Sequence, residues 1–268
     1  MENNTEIDIV NIFDSHAHYD DERFAEDRHT LLPSLREGGV RAVLNAACTM
    51  SSAQESVLLA RAYDFVYAAV GIHPEAAAEY TPNALHALSE LVKHERVVAI
   101  GEIGLDYHYE QPNHDIQLGA FSAQLSLARQ LNLPVIIHNR DSTADMLARL
   151  KKYRPKGVMH CFSGSAEVAK ELLSFGLYLG FTGLVTFPGA KRVVEAVAAT
   201  PLERILLETD CPYMAPVPHR GKRSDSRMIA ETAKRIAEIK GIAPQELVNI
   251  ATENTCRLFG ITLEHKAI

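Results

Sequence analysis

Paired cysteines are missing. The four present (Cys48, Cys161, Cys211 and Cys256) are widely spaced and form no CxxC motif. That excludes a disulfide scaffold or a zinc knuckle and fits free thiols in a reducing cytosol. Long hydrophobic runs are missing as well, since no apolar stretch reaches the roughly 18 residues of a membrane helix. The opening MENNTEIDIV is acidic and polar, without the basic start and apolar core of a signal peptide. A cytoplasmic location with no membrane association is expected. Excess positive charge is absent too: 27 Lys and Arg face 34 Asp and Glu, a net charge of -7. Proteins that hold duplex DNA through many phosphates are usually basic, so a nucleic-acid role here must rest on local charge or on metal ions. There is no low-complexity tract and no linker. At 47% hydrophobic and 23% charged residues, the 268-residue chain reads as one globular domain over 1–268 with a large core.

What is there is alternation. The runs IVNIFDSHAH, RAVLNAAC, FVYAAVGIHP, VVAIGEIGL, PVIIHN, GVMHCFSG, LYLGFTG and RILLETD are short, β-branched or Ala-rich and only weakly alternating. Strands buried on both faces of a parallel sheet read this way. Amphipathic stretches lie between them. Leu118, Phe121, Leu125, Ala128 and Leu131 recur at helical steps. Thr81-Pro82 marks a helix start, and a last helix through Leu247, Ile250, Ala251, Asn254 and Leu258 ends at Gly260. Eight strands each followed by a helix predict an α/β fold, a single (β/α)8 TIM barrel. The competing doubly wound sheet usually carries a Gly-rich first turn, and HAHYDDERF has no glycine. The long CPYMAPVPHRGKRS segment after the last strand reads as a functional wall.

In a barrel, side chains at the C-terminal strand ends converge on one face. His16 and His18, His73, Glu102, His138, His160 and Asp210 all fall at such ends. Imidazole nitrogens and carboxylate oxygens are the donors that divalent transition metals take. A single buried histidine is usually a satisfied core group. Five histidines and two acids recurring at one position of successive βα units point to a metal site at the strand ends.

DSHAHYD, GIHP, GEIGLDY, IHNR, HCFSG, ETDCPY and NTCRLFG occur in that order. Together, from about Phe13 to Gly260, they resemble the TatD-type metal-dependent deoxyribonucleases, barrels of the amidohydrolase superfamily. The resemblance implies two divalent ions, of Zn, Mn, Mg, Co or Ni. His16, His18, Glu102 and Asp210 would hold one, and Glu102, His138 and His160 the other. A pair of cations needs a bridging anion, and VVAIGEIGLDYHYE contains no lysine that could be carbamylated, so Glu102 is the available bridge. The implied chemistry is hydrolysis of DNA phosphodiesters by an activated water, on single strands or ends. Asp210 either accepts the water's proton or serves only as a ligand.

His73 and Arg140 are candidates for meeting a phosphate, with a surface salt bridge the alternative for Arg140. Ser163 and Gly164 either offer backbone N–H groups to a phosphate or simply cap a helix. Asp14 either orients an imidazole or makes a structural hydrogen bond. Asp106, Tyr107 and His108 are placed at the entrance, and Asn254 is read as structural. His219, Arg220, Lys222 and Arg223 are expected to contact a nucleic-acid backbone, with Lys151, Lys152, Arg154 and Lys156 adding to the basic stretch. The family commonly follows this loop with an Asn and a Pro, where Ser224 and Ser226 stand here. Two other functions use the same residues: an amidohydrolase or lactonase acting on a small molecule, and a catalytically idle metal-binding protein. No obligate protein partner is expected.

Overall fold

In the computed structural model, residues 9–263 are described. Residues 1–8 and 264–268 of the expected domain, with most of the acidic opening, lie outside them. The strands are β1 (Ile12–Ala17), β2 (Val40–Ala46), β3 (Val66–Val70), β4 (Val97–Asp106), β5 (Val135–Arg140), β6 (Gly157–Met159), β7 (Tyr178–Phe181) and β8 (Ile205–Leu207). They form one parallel sheet in sequence order, each paired with the next. The helices are α1 (Arg28–Glu37), α2 (Met50–Ala62), α3 (Pro82–Leu91), α4 (His114–Leu131), α5 (Thr143–Tyr153), α6 (Ala166–Ser174), α7 (Lys191–Ala199), α8 (Ile229–Lys240) and α9 (Pro244–Phe259). The (β/α)8 barrel read from the sequence is present, with α9 as an additional helix.

The weak alternation of the strands has a direct cause, because both of their faces are covered. Phe13, Leu44, Ala69, Ile136, Val158 and Leu206 form an apolar cluster with Leu258, Phe259 and Ile261. This cluster fills the barrel, and the end of α9 closes its N-terminal mouth. Val43, Val66, Val135 and Ile205, alternate residues of the same strands, pack outward with the helices. Asn254 fastens α9 through bonds from Nδ2 to Leu202 O at 2.8 Å and Ile205 O at 2.9 Å. Among the described residues no helix is long and apolar enough to cross a membrane.

The seam between β8 and β1 is closed mainly by side chains and by the residues just past β8. Ala17 bridges Cys211 in parallel. Asp210 N donates to His16 O at 2.9 Å, and His18 N donates to Cys211 O at 2.8 Å. One turn below, the buried Asp14 carboxylate accepts from Thr209 N at 3.0 Å, Thr209 Oγ1 at 2.6 Å and Ser226 Oγ at 2.7 Å. Burial pushes the Asp14 carboxyl up to about 7 in spite of these donors. Asp14 touches no imidazole ring, so of the two readings offered above the structural hydrogen bond is the one present.

Two buried glutamines of α4 fix the backbone beside the site. Gln124 bonds both Ile72 N (2.8 Å) and Ile72 O (3.0 Å). Gln117 likewise bonds Asp106 N (2.8 Å) and Asp106 O (2.7 Å). Each amide mimics a paired strand and sets the exit of β3 or β4.

Candidate metal centre

The C-terminal strand ends carry one dense cluster. His16 lies in β1 and His18 one residue past it, Glu102 in β4 and His138 in β5. His160 follows β6 directly, and Asp210 lies three residues past β8. His16 Nε2 is 3.0 Å from His18 Nε2, 3.2 Å from Glu102 Oε2 and 3.7 Å from Asp210 Oδ1. His18 Nε2 is 3.7 Å from Glu102 Oε2 and 3.2 Å from Asp210 Oδ1. Donors about 2.0–2.1 Å from a tetrahedral cation lie roughly 3.3–3.4 Å apart, so this set fits one. Glu102 turns its other oxygen the opposite way. Oε1 is 2.9 Å from His138 Nδ1, 3.7 Å from His160 Nε2 and 3.6 Å from His73 Nε2. Groupings of imidazoles and carboxylates that could take an ion are His16, His18 and Asp210; His16, Glu102 and His160; and His73, Glu102 and His138, while two further groupings add Cys48 to His18 and Glu102, and Cys161 to His160 and Asp210.

Outer partners decide which ring nitrogen keeps its proton. His18 Nδ1 faces Ala46 O at 2.8 Å, His138 Nε2 faces Asp106 Oδ2 at 3.1 Å, and His160 Nδ1 faces Glu208 Oε1 at 3.0 Å. In the neutral ring each of these nitrogens keeps the proton, and the nitrogen aimed at the cluster presents a lone pair. His73 is wired the other way. Its Nδ1 accepts from Glu75 N at 3.2 Å, which leaves the proton on Nε2, the atom facing Glu102. His73 is thus set to donate rather than to ligate. Buried His16 Nδ1 has no hydrogen-bond partner, and His160 Nδ1 is close to Glu208 Oε1 as an ion pair without hydrogen-bond alignment.

The charges follow from this packing. Burial opposes ionisation of Glu102, but the surrounding His160, His16 and His73 and the bond from His138 hold its carboxyl well below the usual range. Asp210 is likewise held low against burial by His160 and His18. His138 is raised to about 9, where Asp106 and Glu102 outweigh burial. His160 reaches about 9 in the same way through Glu208, Glu102 and Asp210. Burial drops His73 to about 3. Two glycines make room for this arrangement. A Cβ on Gly180 would fall 2.2 Å from Glu208 Oε2, and one on Gly104 would fall 2.0 Å from His138 O. Gly104 also has a φ of 153°, which side chains rarely adopt.

The TatD related DNase family matches this chain over residues 13–260. The chain belongs to the TatD-related DNase family. Members of that family are metal-dependent hydrolases. One relative, the uncharacterized metal-dependent hydrolase YabD of Bacillus subtilis, is 42% identical over 93% of this chain and 99% of its own length. The Pantoea ananatis protein named 3'-5' ssDNA/RNA exonuclease TatD is 33% identical over 93% of this chain and all of its own length. Among solved structures, the TatD homologue YJJV of Escherichia coli K12 superposes with a TM-score of 0.89 at 30% identity, covering 95% of this chain and 100% of that one.

A cleft of about 740 Å³ opens over the cluster of this TatD-family chain. Its lining includes His73, Asp106, Tyr109, Arg140, Tyr213 and Met214. His73 and Arg140, the candidates for meeting a phosphate, both border this cleft. Tyr107 and His108 do not line it; the Tyr107 ring stacks on His114 at 3.5 Å and donates to Asp145. Ser163 and Gly164 are also outside the lining, and α6 is capped by Ser165, whose side chain accepts from Val168 N. The sequence reading placed that helix start two residues early.

The basic residues expected to contact a nucleic-acid backbone lie outside the cleft lining. The Arg220 guanidinium rests 4.1 Å from the Phe187 ring centroid, outside the cleft lining. Arg223 is engaged by Asp27 at 2.5 Å and by Arg23 O at 2.7 Å. Lys151 and Lys152 stand in the last turn of α5, and Arg154 and Lys156 lie between α5 and β6. Such αβ segments feed the N-terminal strand ends, on the far side of the barrel from the cluster. Ser226, at the place where the family commonly has Pro, is buried. Its N–H donates to Tyr19 Oη at 2.9 Å and its hydroxyl to Asp14. A proline could make neither bond.

Proposed function

We propose that this chain is a two-metal phosphodiesterase that removes nucleotides from unpaired nucleic-acid ends, DNA first among them. It acts as one domain over 1–268 in the cytoplasm, where its free cysteines stay reduced. The reading is carried by the two-sided placement of Glu102, with one oxygen facing His16 and His18 and the other facing His138 and His160. The exonuclease names of the Pantoea and Erwinia relatives support the substrate class.

His16, His18, Glu102 and Asp210 would hold one divalent ion, and Glu102, His138 and His160 the second. Bound there, the ions would supply an acidified water and offset phosphate charge. The chain's own groups do the rest. Asp210 makes its close contacts through Oδ1. Its Oδ2 accepts the proton of the attacking water. His73 Nε2–H and the Arg140 fork hold the phosphate oxygens. Asp106 and Glu208 keep the ligand rings in the right tautomer.

The test is a substrate panel: metal-loaded protein with labelled single strands, duplex DNA, a generic phosphodiester and a set of lactones, with and without chelator. Chelator-sensitive release of nucleotides from single strands is the expected result. Turnover of lactones alone would make the chain a small-molecule hydrolase, and silence on every substrate with ions bound would make it an idle metal protein.

Metal loading should also be coupled to protons. His138 and His160, raised to about 9, carry a proton on the inner nitrogen at neutral pH and must lose it to bind an ion. Ion affinity is expected to climb between neutrality and their pKa, by up to about tenfold per pH unit for each displaced proton. Calorimetry in two buffers of different ionisation enthalpy measures the release. A flat profile with no proton release contradicts the ligand set.

A further inference from the structure

We infer that Tyr109 and Tyr213 form a two-sided clamp that stacks the unpaired bases flanking the phosphate to be cut. The inference rests on the nuclease reading above and names how that site holds its substrate.

Both rings line the cleft, and both are unusually open for large side chains, at 49% and 48% exposed. Tyr107, two residues before Tyr109, packs against the apolar core, whereas neither Tyr109 nor Tyr213 belongs to any packed cluster. Apolar packing therefore gives no reason for an aromatic ring at either position, and the ring contacts are with His108 and Arg140 for Tyr109 and with Arg23 for Tyr213. Their placement is diametric. Tyr109 lies three residues past β4, and Tyr213 lies on the loop after β8. In a ring of eight strands, positions four and eight are opposite, so the rings stand on facing rims with the ligand cluster between them.

Each ring has its own cation. The Arg140 guanidinium is 5.6 Å from the Tyr109 centroid, and the Arg23 guanidinium is 3.9 Å from the Tyr213 centroid. Arg23 is fixed by Asp21 through Nε at 3.1 Å and Nη2 at 3.2 Å, and Tyr213 Oη donates to the same carboxylate at 3.3 Å. Two flat aromatic surfaces, each paired with a guanidinium, are what a single strand needs: a face for the base and a charge for its backbone.

Electrostatics explains why stacking is required here. The chain is net negative, and the cleft lining also carries Asp20, Asp21, Glu75 and Asp106. Away from the ions, this lining gives a polyanion little long-range attraction. Contact with a base face does not depend on net charge and is available for every base. A paired base hides one edge and is stacked on both faces, so the clamp selects single strands and frayed ends.

The test uses the metal-loaded full-length chain and a short single strand whose linkages resist hydrolysis, with 2-aminopurine at successive positions. The chain contains no tryptophan, so this probe can be excited alone. Binding is expected to quench two positions flanking one linkage. Tyr109→Ala and Tyr213→Ala should each weaken binding by roughly 5- to 100-fold and abolish the quench at one position. Tyr109→Phe and Tyr213→Phe, which keep the ring, should restore both. A strand abasic at the two positions should bind wild type as weakly as the alanine variants do. Quenching and affinity untouched by either alanine, or lost equally in the Phe variants, would overturn the clamp. Cleavage of ordinary strands is read on the same proteins. Cleavage with no role for the rings removes the clamp and keeps the nuclease, whereas stacking without cleavage removes the nuclease and keeps the clamp.

Discussion

Asp210→Asn is expected to slow cleavage of a labelled single strand by about 10²- to 10⁴-fold while the protein keeps its bound ions. The substitution preserves shape and leaves an oxygen where Oδ1 meets His16, His18 and His160. What disappears is a carboxylate able to take a proton. That carboxylate is ionised at neutral pH, because His160 and His18 hold its pKa down against the cost of burial. Single-turnover rates together with elemental analysis of the purified variant check the expectation. If turnover survives with metal content unchanged, Asp210 is not the proton acceptor. If the ions leave together with the activity, its role is ligation alone.

Glu102→Gln should have a larger effect and act through a different property. The side chain is buried at the centre of the cluster, and its two oxygens serve two sets of imidazoles. An amide offers one weak donor oxygen and no charge. The variant is expected to hold at most one ion and to show background cleavage. Folding stability should fall too, by about 3–5 kcal/mol in the ion-free protein, since removing one partner leaves buried imidazolium groups uncompensated. The pH dependence has a definite sign. The folded Glu102 carboxyl titrates well below its ordinary value of 4.5, so its contribution is fully present above that value and is lost as pH falls below it. Wild type and variant should therefore differ most near neutrality and converge in acid. Melting curves at several pH values, with chelator present, measure this; two ions still bound to the variant would refute the bridge.

The barrel was legible because its strands are covered on both sides, which writes short unbroken apolar runs into the sequence. Even β6 and β8, three residues each, stood out this way. The site was legible because an imidazole at the end of an apolar run is costly unless it has work to do. Its supporting acids were harder to see. Glu208 sits two residues before Asp210 in LLETD and reads as part of the same acidic end, yet it points back to His160 through the gap left by Gly180. Asp106 reads as part of the entrance, yet it bonds His138 across the neighbouring strand. Both depend on pairing between strands, which periodicity along one segment does not encode. The same limit hid the role of Ser226, whose partners Tyr19 and Asp14 lie more than two hundred positions away.

The joint between β8 and β1 has a consequence for how the protein comes into being. His18 and Asp210 are separated by 192 positions, and the bonds that seat them with His16 are the ones that shut the ring. Without the residues just past β8 the chain can neither shut the ring nor gather the full set of donors. Closing the barrel and assembling the donor set are therefore one cooperative event, so an ion held by these groups also favours the closed ring.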